Sequence, residues 1–186
     1  MKMDLWWLIL PVGLILIVVA IVIYYINRIR VLSNIVDNAW SQIDVQLKRR
    51  FDLVPNLVET VKGYMEHERE AIELVTKARE RMMGVTTTKE RIEAEGALTQ
   101  ALKTIFALAE NYPQLKASEN FRLLQEQLEG IENKIAYARQ FYNDSVLRFN
   151  NMITTIPGSF FAGGRAPREY FEIPEGERAP PRVTFK

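Results

Sequence analysis

The residues able to do chemistry in this chain are few and poorly assembled. The one histidine, His67, stands in the run Met65-Glu66-His67-Glu68-Arg69-Glu70, where acidic neighbours invite a metal ion. Adjacent residues on a helix point about 100° apart and do not chelate one ion together. Glu70 at i+3 and carboxylates from another helix are the other donors on offer. A di-iron carboxylate bundle needs a Glu-x-x-His on each of two helices, and the chain has neither that pair nor a His-Glu-x-x-His. His67 therefore reads as a surface histidine near a helix end. With no cysteine, thiolate nucleophiles, thiolate metal sites and disulfides are excluded. Serine catalysis lacks a Gly-x-Ser-x-Gly elbow, and Gly163-Gly164-Arg165 has no phosphate-cradling pattern around it. Carboxylates are plentiful, as on any charged helical surface, and say little about acid–base work. The inventory predicts no catalytic, cofactor-binding or metal-ligating residue, and a protein that is not an enzyme.

Charge narrows the partners. The 24 basic and 23 acidic residues are interspersed and give a formal net charge of +1. No basic stripe suited to phosphates stands out, which argues against nucleic acid. The densest basic cluster is Lys48-Arg49-Arg50, read either as a patch for anionic lipid or as a basic helix end that complements the helix dipole. With Phe171 and Phe185 it forms the candidate interaction surface. Trp40 is expected to fill the core with its ring while its N–H finds an acceptor. Asn111, Asn120, Asn133, Arg139 and Asn143 are expected to satisfy loop backbones and inter-helix hydrogen bonds, or to line a polar groove between helices.

What positions these residues begins with Leu5 to Ile26, 22 consecutive residues without a charge. As a helix the run spans roughly 33 Å, enough to cross a hydrocarbon core of about 30 Å. Trp6 and Trp7 mark one end and Tyr24 and Tyr25 the other, where amphipathic aromatics meet the two lipid–water boundaries. A cleaved signal peptide would have a shorter apolar centre and a small-x-small cleavage site. Residues 1–27 are thus expected to be a retained anchor. Arg28 and Arg30 follow the run, against Lys2 before it, so the residues beyond are assigned to the cytoplasm and the short amino terminus to the outside of a cell membrane.

Residues 28–156 carry helical periodicity. Phe121, Leu124, Leu128, Ile131, Ile135, Ala138, Tyr142, Ser145, Phe149, Met152 and Ile156 repeat at spacings of 3 and 4, a heptad seam that demands partner helices. Thr87 with Glu90 is a capping box that starts another helix, and Asn111-Tyr112-Pro113 stops it. Upstream, Ile29, Leu32, Val36, Ala39, Ile43, Leu47 and Phe51 form a stripe that Val54, Val58, Val61 and Met65 nearly continue across Pro55. An unbroken helix there would be about 84 Å long with no partner of equal length. The expectation is therefore a hairpin at Asp52–Pro55 and segments of roughly 28–51, 53–83, 88–111 and 117–156. The fold class predicted is all-α, a transmembrane helix followed by an antiparallel four-helix bundle.

Residues 157–186 differ in kind, holding five of the eight prolines and four of the nine glycines. That density ends helix and favours an extended tail. Phe160, Phe161, Tyr170, Phe171 and Phe185 make it either an arm laid along the bundle or a docking tail for a partner.

Three blocks carry a resemblance: residues 36–64 (Val-Asp-Asn-Ala-Trp-Ser-Gln-Ile-Asp onward, including Gln-Leu-Lys-Arg-Arg), 109–121 (Ala-Glu-Asn-Tyr-Pro-Gln-Leu-Lys-Ala-Ser-Glu-Asn-Phe) and 138–144 (Ala-Arg-Gln-Phe-Tyr-Asn-Asp). With the Val-Thr-Phe ending, these resemble the LemA family. Residues 82–96 match least. The resemblance implies a bacterial or archaeal membrane protein with a cytoplasmic four-helix domain, and it implies no reaction. Because some members are associated with membrane-bound zinc proteases or with signalling, it implies an adaptor. The combined expectation is a scaffold held in lipid that meets other membrane proteins, a membrane protease among them, and that self-associates into a homo-oligomer. Its alternatives are a ligand sensor using an inter-helix groove, and an accessory component of a membrane protease system.

Overall fold

The computed structural model describes residues 6–65, 67–85 and 87–171. They form helices α1 (Trp6–Lys62), α2 (Arg69–Met83), α3 (Thr88–Ala109), α4 (Pro113–Lys116) and α5 (Glu119–Thr154), followed by a 3-10 turn, Gly158–Phe161. No strand occurs among the described residues. The chain is all-α, with a long apolar helix at its start and several helices behind it, as its periodicity demanded.

The expected hairpin at Asp52–Pro55 is not there. Helix α1 runs 57 residues without a break and takes Pro55 into its interior. Proline removes one backbone hydrogen bond and clashes with the preceding turn, at a cost of about 3 kcal/mol. Against it stand Val54, Leu57 and Val61, all fully buried and in phase with Ile43 and Leu47 upstream. Each such side chain contributes roughly 1.5–3 kcal/mol on burial, so continuing the stripe outweighs the break. Asp52, at the start of the expected hairpin, sits on the exposed face and pairs with Lys48 at 3.2 Å, one turn back. The reversal comes instead just after Lys62, at Gly63 and Tyr64, where Met65 still bonds to the Val61 carbonyl (2.9 Å).

Two compact units share these helices. One comprises residues up to Ser41 together with Gln140–Tyr170. Its buried side chains are Ile29, Leu32, Val36 and Ala39 from α1, and Tyr142, Val146, Phe149 and Ile153 from α5. Trp40 meets Tyr142 edge to face, with ring centroids 5.3 Å apart. The described part of the tail is fastened here as an arm. Asn150 brackets the Arg168 backbone, accepting from its N–H at 2.8 Å and donating to its carbonyl at 2.9 Å. Tyr142 donates to the Glu169 carbonyl at 3.0 Å, and Arg168 reaches Asp37 at 3.2 Å.

The other unit comprises Gln42–Arg139 with Phe171. Its core joins Val54, Leu57 and Val61 of α1, Ile72 and Val75 of α2, Leu98, Leu102 and Ile105 of α3, Leu115 of α4, and Phe121, Leu124 and Leu128 of α5. The capping box forms as read: Thr87 Oγ1 accepts from the Glu90 N–H, and Glu90 accepts from the Thr87 N–H at 3.2 Å.

The α5 seam holds from Phe121 to Phe149 and then slips. Val146 and Ile153 are buried, whereas Met152 is half-buried and Ile156 is exposed beyond the helix end. A straight helix advances 3.6 residues per turn, so a strict seven-residue repeat drifts by about 20° per heptad and leaves the buried face after four of them. Ser145, the one polar seam position, returns its hydroxyl to the Phe141 carbonyl at 2.7 Å.

Candidate functional site

Arg50 lies where a seam residue should. Counting from Ile29, buried positions of α1 fall at 29, 32, 36, 39, 43, 47, 50, 54, 57, 58 and 61, so the guanidinium enters the core with 4% of the residue exposed. A buried cation demands buried counter-charge. Helix α3 supplies it with Glu95 (3% exposed), four residues before Thr99 and therefore on the same helical face. Arg50 Nη1 donates to Glu95 Oε1 at 3.0 Å and to Thr99 Oγ1 at 2.9 Å, and the Thr99 hydroxyl donates to the same carboxylate oxygen at 3.1 Å. Arg50 Nη2 lies 2.8 Å from Glu132 Oε2, close enough for an ion pair but without hydrogen-bond alignment.

Helix α5 closes the cluster. Glu132 and Arg139 are seven residues apart, hence on one face, and Arg139 pairs with the second oxygen of Glu95. The Arg139 guanidinium also lies over the Phe171 ring, 4.6 Å from its centroid, and Phe171 is 3% exposed. Two guanidiniums and two carboxylates thus cancel in charge across α1, α3, α5 and the arm. Burial pushes the Glu95 carboxyl above its ordinary range, and Arg139 and Arg50 pull it back only in part. Nε of both arginines and one Gln46 oxygen make no hydrogen bond. The cluster has no nucleophile paired with a base, and no group of three metal-ligating side chains occurs among the described residues. What it can do is fix the register of three helices, because each ion pair is satisfied in one alignment.

Beside the cluster opens a groove of about 280 Å³, lined by Arg50, Thr99, Leu102, Lys103, Phe106, Leu128 and Glu132 among others. Its wall sets two cations, Arg50 and Lys103, and two carboxylates, Glu129 and Glu132, among apolar side chains, and none of Asn111, Asn120, Asn133, Arg139 and Asn143, the residues expected to line a polar groove, takes part in it.

The described residues of the expected interaction surface lie in different surroundings. Lys48 and Arg49 are exposed, with Lys48 held to Asp52. Arg50 is a correction: it points into the core, because its place in the stripe outranks its membership of a basic triplet. Phe171 is likewise no free docking residue in this structure, since it is packed beneath Arg139. Phe185 lies outside the described residues. His67 is exposed in the connection between α1 and α2. At the other end of α1, Trp6 and Trp7 fall in the first turn, and their side chains lie outside what is described. Tyr24 is exposed and Tyr25 half-buried, their rings 5.3 Å apart and edge-on. The helix from Ile9 onward is long and apolar enough to cross a membrane.

Glu95, Thr99 and Glu132 escaped the sequence reading. The signal was nevertheless present: Arg50 sits on the heptad of Ile43, Val54 and Leu57, and Glu95 lies seven residues before Leu102 on the α3 stripe. Two opposite charges in two apolar stripes announce a buried pair.

A profile of the LemA family matches residues 39–185. The magnetosome protein MamQ of Magnetospirillum gryphiswaldense is 30% identical over 92 residues, which is 48% of this chain and 34% of that protein. MamQ 1 of Paramagnetospirillum magneticum matches to the same extent. Protein LemA of Metamycoplasma hominis is 25% identical over 124 residues, 66% of this chain and 57% of that protein. The matched stretch therefore spans about a third of the magnetosome proteins' length (34%) and under two thirds of the LemA protein's.

Proposed function

Since the chain belongs to the LemA family, we propose that it is a membrane-tethered helical scaffold, presenting a water-facing module on the cytoplasmic side to another membrane protein. The observation that carries the tether is the exposure of the whole apolar surface of α1 from Ile9 to Ile23. In water so continuous an apolar cylinder is strongly unfavourable, and lipid is the solvent that removes the cost. Arg28 and Arg30 just past its end favour the inner face. The scaffold reading draws on the buried cluster, in which Arg50, Glu95 and Arg139 pair across three helices and so hold them in register. As a partner, the reading takes a component of a membrane protease system, with the scaffold as the accessory and non-catalytic member.

Alkaline carbonate extraction of membranes from cells expressing the full chain tests the tether, and cross-linking in those membranes tests the partner. The chain is expected to stay in the pellet and to yield a discrete adduct. Release into the supernatant would remove the tether; cross-links to no protein would remove the adaptor role.

The groove beside Arg50, which combines apolar side chains with two cations and two carboxylates, favours a second reading, a sensor of a small zwitterionic ligand. Saturable heat on titration of the purified chain with such ligands, abolished by Lys103→Glu, is what that reading requires.

A further inference from the structure

The 3-10 turn after α5 is built around a contact with the boundary residue of the apolar helix. The Phe161 ring stacks on Tyr25, with centroids 5.2 Å apart and planes 12° from parallel. Tyr25 is one residue before the end of the uncharged run, so the stack fixes the height of the turn along α1. If α1 crosses a bilayer, the turn lies at the bilayer surface by geometry alone.

The turn is ordered by its own hydrogen bonds. Ser159 N–H donates to the Thr155 carbonyl at 2.9 Å and Phe160 N–H to the Pro157 carbonyl at 3.2 Å. Gly163 and Gly164, at φ of 59° and 74°, then reverse the chain in a conformation other residues resist. Its inward residues, Gly158 and Ala162, are buried. Its outward residues are the anomaly: Ile156 is 77% exposed and Phe160 75% exposed. In an ordered segment with no packing reason for them, two large apolar side chains facing outward need another solvent.

Charge points the same way. From Leu5 to Val36 the chain has Arg28 and Arg30 and no carboxylate; from Ser145 to Arg168 it has Arg148, Arg165 and Arg168 and again no carboxylate. Arg165 is anchored at the turn, donating to the Ala162 carbonyl at 2.9 Å. Arg168 is paired with Asp37, but Arg28, Arg30, Arg148 and Arg165 remain, and exposed apolar tips beside such an arginine excess are the composition of a surface that seats among anionic headgroups.

We infer that Ile156 and Phe160 form a second membrane contact, inserting into the headgroup–acyl boundary of the same bilayer that α1 crosses, with anionic lipid as the occupant of this face. The inference rests on the membrane-tether reading. It adds a monotopic foot to the single span, setting the rotation of α1 about its axis as well as its depth.

The absence of native cysteine makes the test direct. The full chain, carrying one of Leu16→Cys, Phe160→Cys or Asn111→Cys labelled with an environment-sensitive fluorophore, is reconstituted in phosphatidylcholine–phosphatidylglycerol vesicles. The label at 160 is expected to be quenched by shallow spin-labelled lipid and to be about threefold less accessible to aqueous iodide than the label at 111, as for a side chain about 5–10 Å into the interface. A label at 160 as open to iodide as that at 111, with the label at 16 lipid-quenched, overturns the second contact and leaves the tether intact. A label at 16 that lipid does not quench overturns the tether and the foot with it. Adding Phe160→Asp to a chain labelled at Ile156→Cys is expected to return that label to water, and retention of lipid quenching there would contradict the paired insertion. Replacing phosphatidylglycerol with phosphatidylcholine is expected to raise the access of the neutral quencher acrylamide at 160, and no change would remove the anionic-lipid assignment.

Discussion

Arg50 on α1 and Glu95 on α3 close a 3.0 Å ion pair with 4% and 3% of the two residues open to solvent. Breaking such a pair leaves one charge buried and uncompensated, typically costing 3–5 kcal/mol. Here Arg139 still faces Glu95 when Arg50 is removed. Arg50→Met is therefore expected to destabilise the chain by about 3 kcal/mol, at the low end of that range. Lys48→Ala, which removes a surface pair two residues away, should change stability by less than about 0.5 kcal/mol. Chemical denaturation in detergent, followed by circular dichroism, checks both; equal effects would contradict the buried placement of Arg50.

Glu95 makes stability depend on acid. Its folded carboxyl is raised above the ordinary 4.5 by burial, so between that value and the raised one the folded state holds more protons than the unfolded chain. Stability from this group is full below about pH 4.5 and falls as pH rises through the folded value. Glu95→Gln should flatten the dependence of the denaturation midpoint on pH across this window, whatever it does to the midpoint itself. An unchanged slope would place the titration elsewhere.

Asn150 holds the arm by both faces of the Arg168 peptide, with bonds of 2.8 and 2.9 Å. Asn150→Ala removes both, and at about 1 kcal/mol each the Arg168 amide should exchange at least roughly tenfold faster. Hydrogen exchange read at Arg168, with Ile135 as an internal reference, measures it. Unchanged protection would mean that Tyr142 and Asp37 suffice.

Pro55 offers a test of the unbroken helix. In a continuous α1, Pro55→Ala restores a donor to the Phe51 carbonyl and should stabilise the chain by up to about 3 kcal/mol. In a hairpin the same change would loosen a turn. A rise in thermal midpoint supports the helix, and a fall refutes it.

The helices were legible because apolar spacing records burial directly: Ile29 through Ala39 and Phe121 through Phe149 are buried as their periodicity demands. The Thr87–Glu90 box was legible because two side chains satisfy two orphan donors locally. Pro55 misled, since local propensity argued for a turn and the packing of Val54, Leu57 and Val61 overrode it. Arg50 misled for a related reason. Read beside Lys48 and Arg49 it is a surface cation, whereas read every seventh residue it is a core position. Glu95 lay in the stretch that resembled the family least, and only the fold brings it to Arg50. The groove between α1, α3 and α5 depends on which helices adjoin, and single-chain spacing does not encode adjacency.

One consequence follows from the stacking of Phe161 on Tyr25. Tyr25 and Ile29 belong to a single uninterrupted spiral, so the azimuth of the aromatic ring is locked to that of the packed stripe. Insertion of one residue at Asn27 would swing Tyr25 by about 100° off Phe161 while Ile29 onward kept its seat. Seven inserted residues would bring the ring back to nearly the same bearing but about 10 Å higher. The joint between anchor and module is therefore gauged in both angle and height, and lengthening it is not a neutral change.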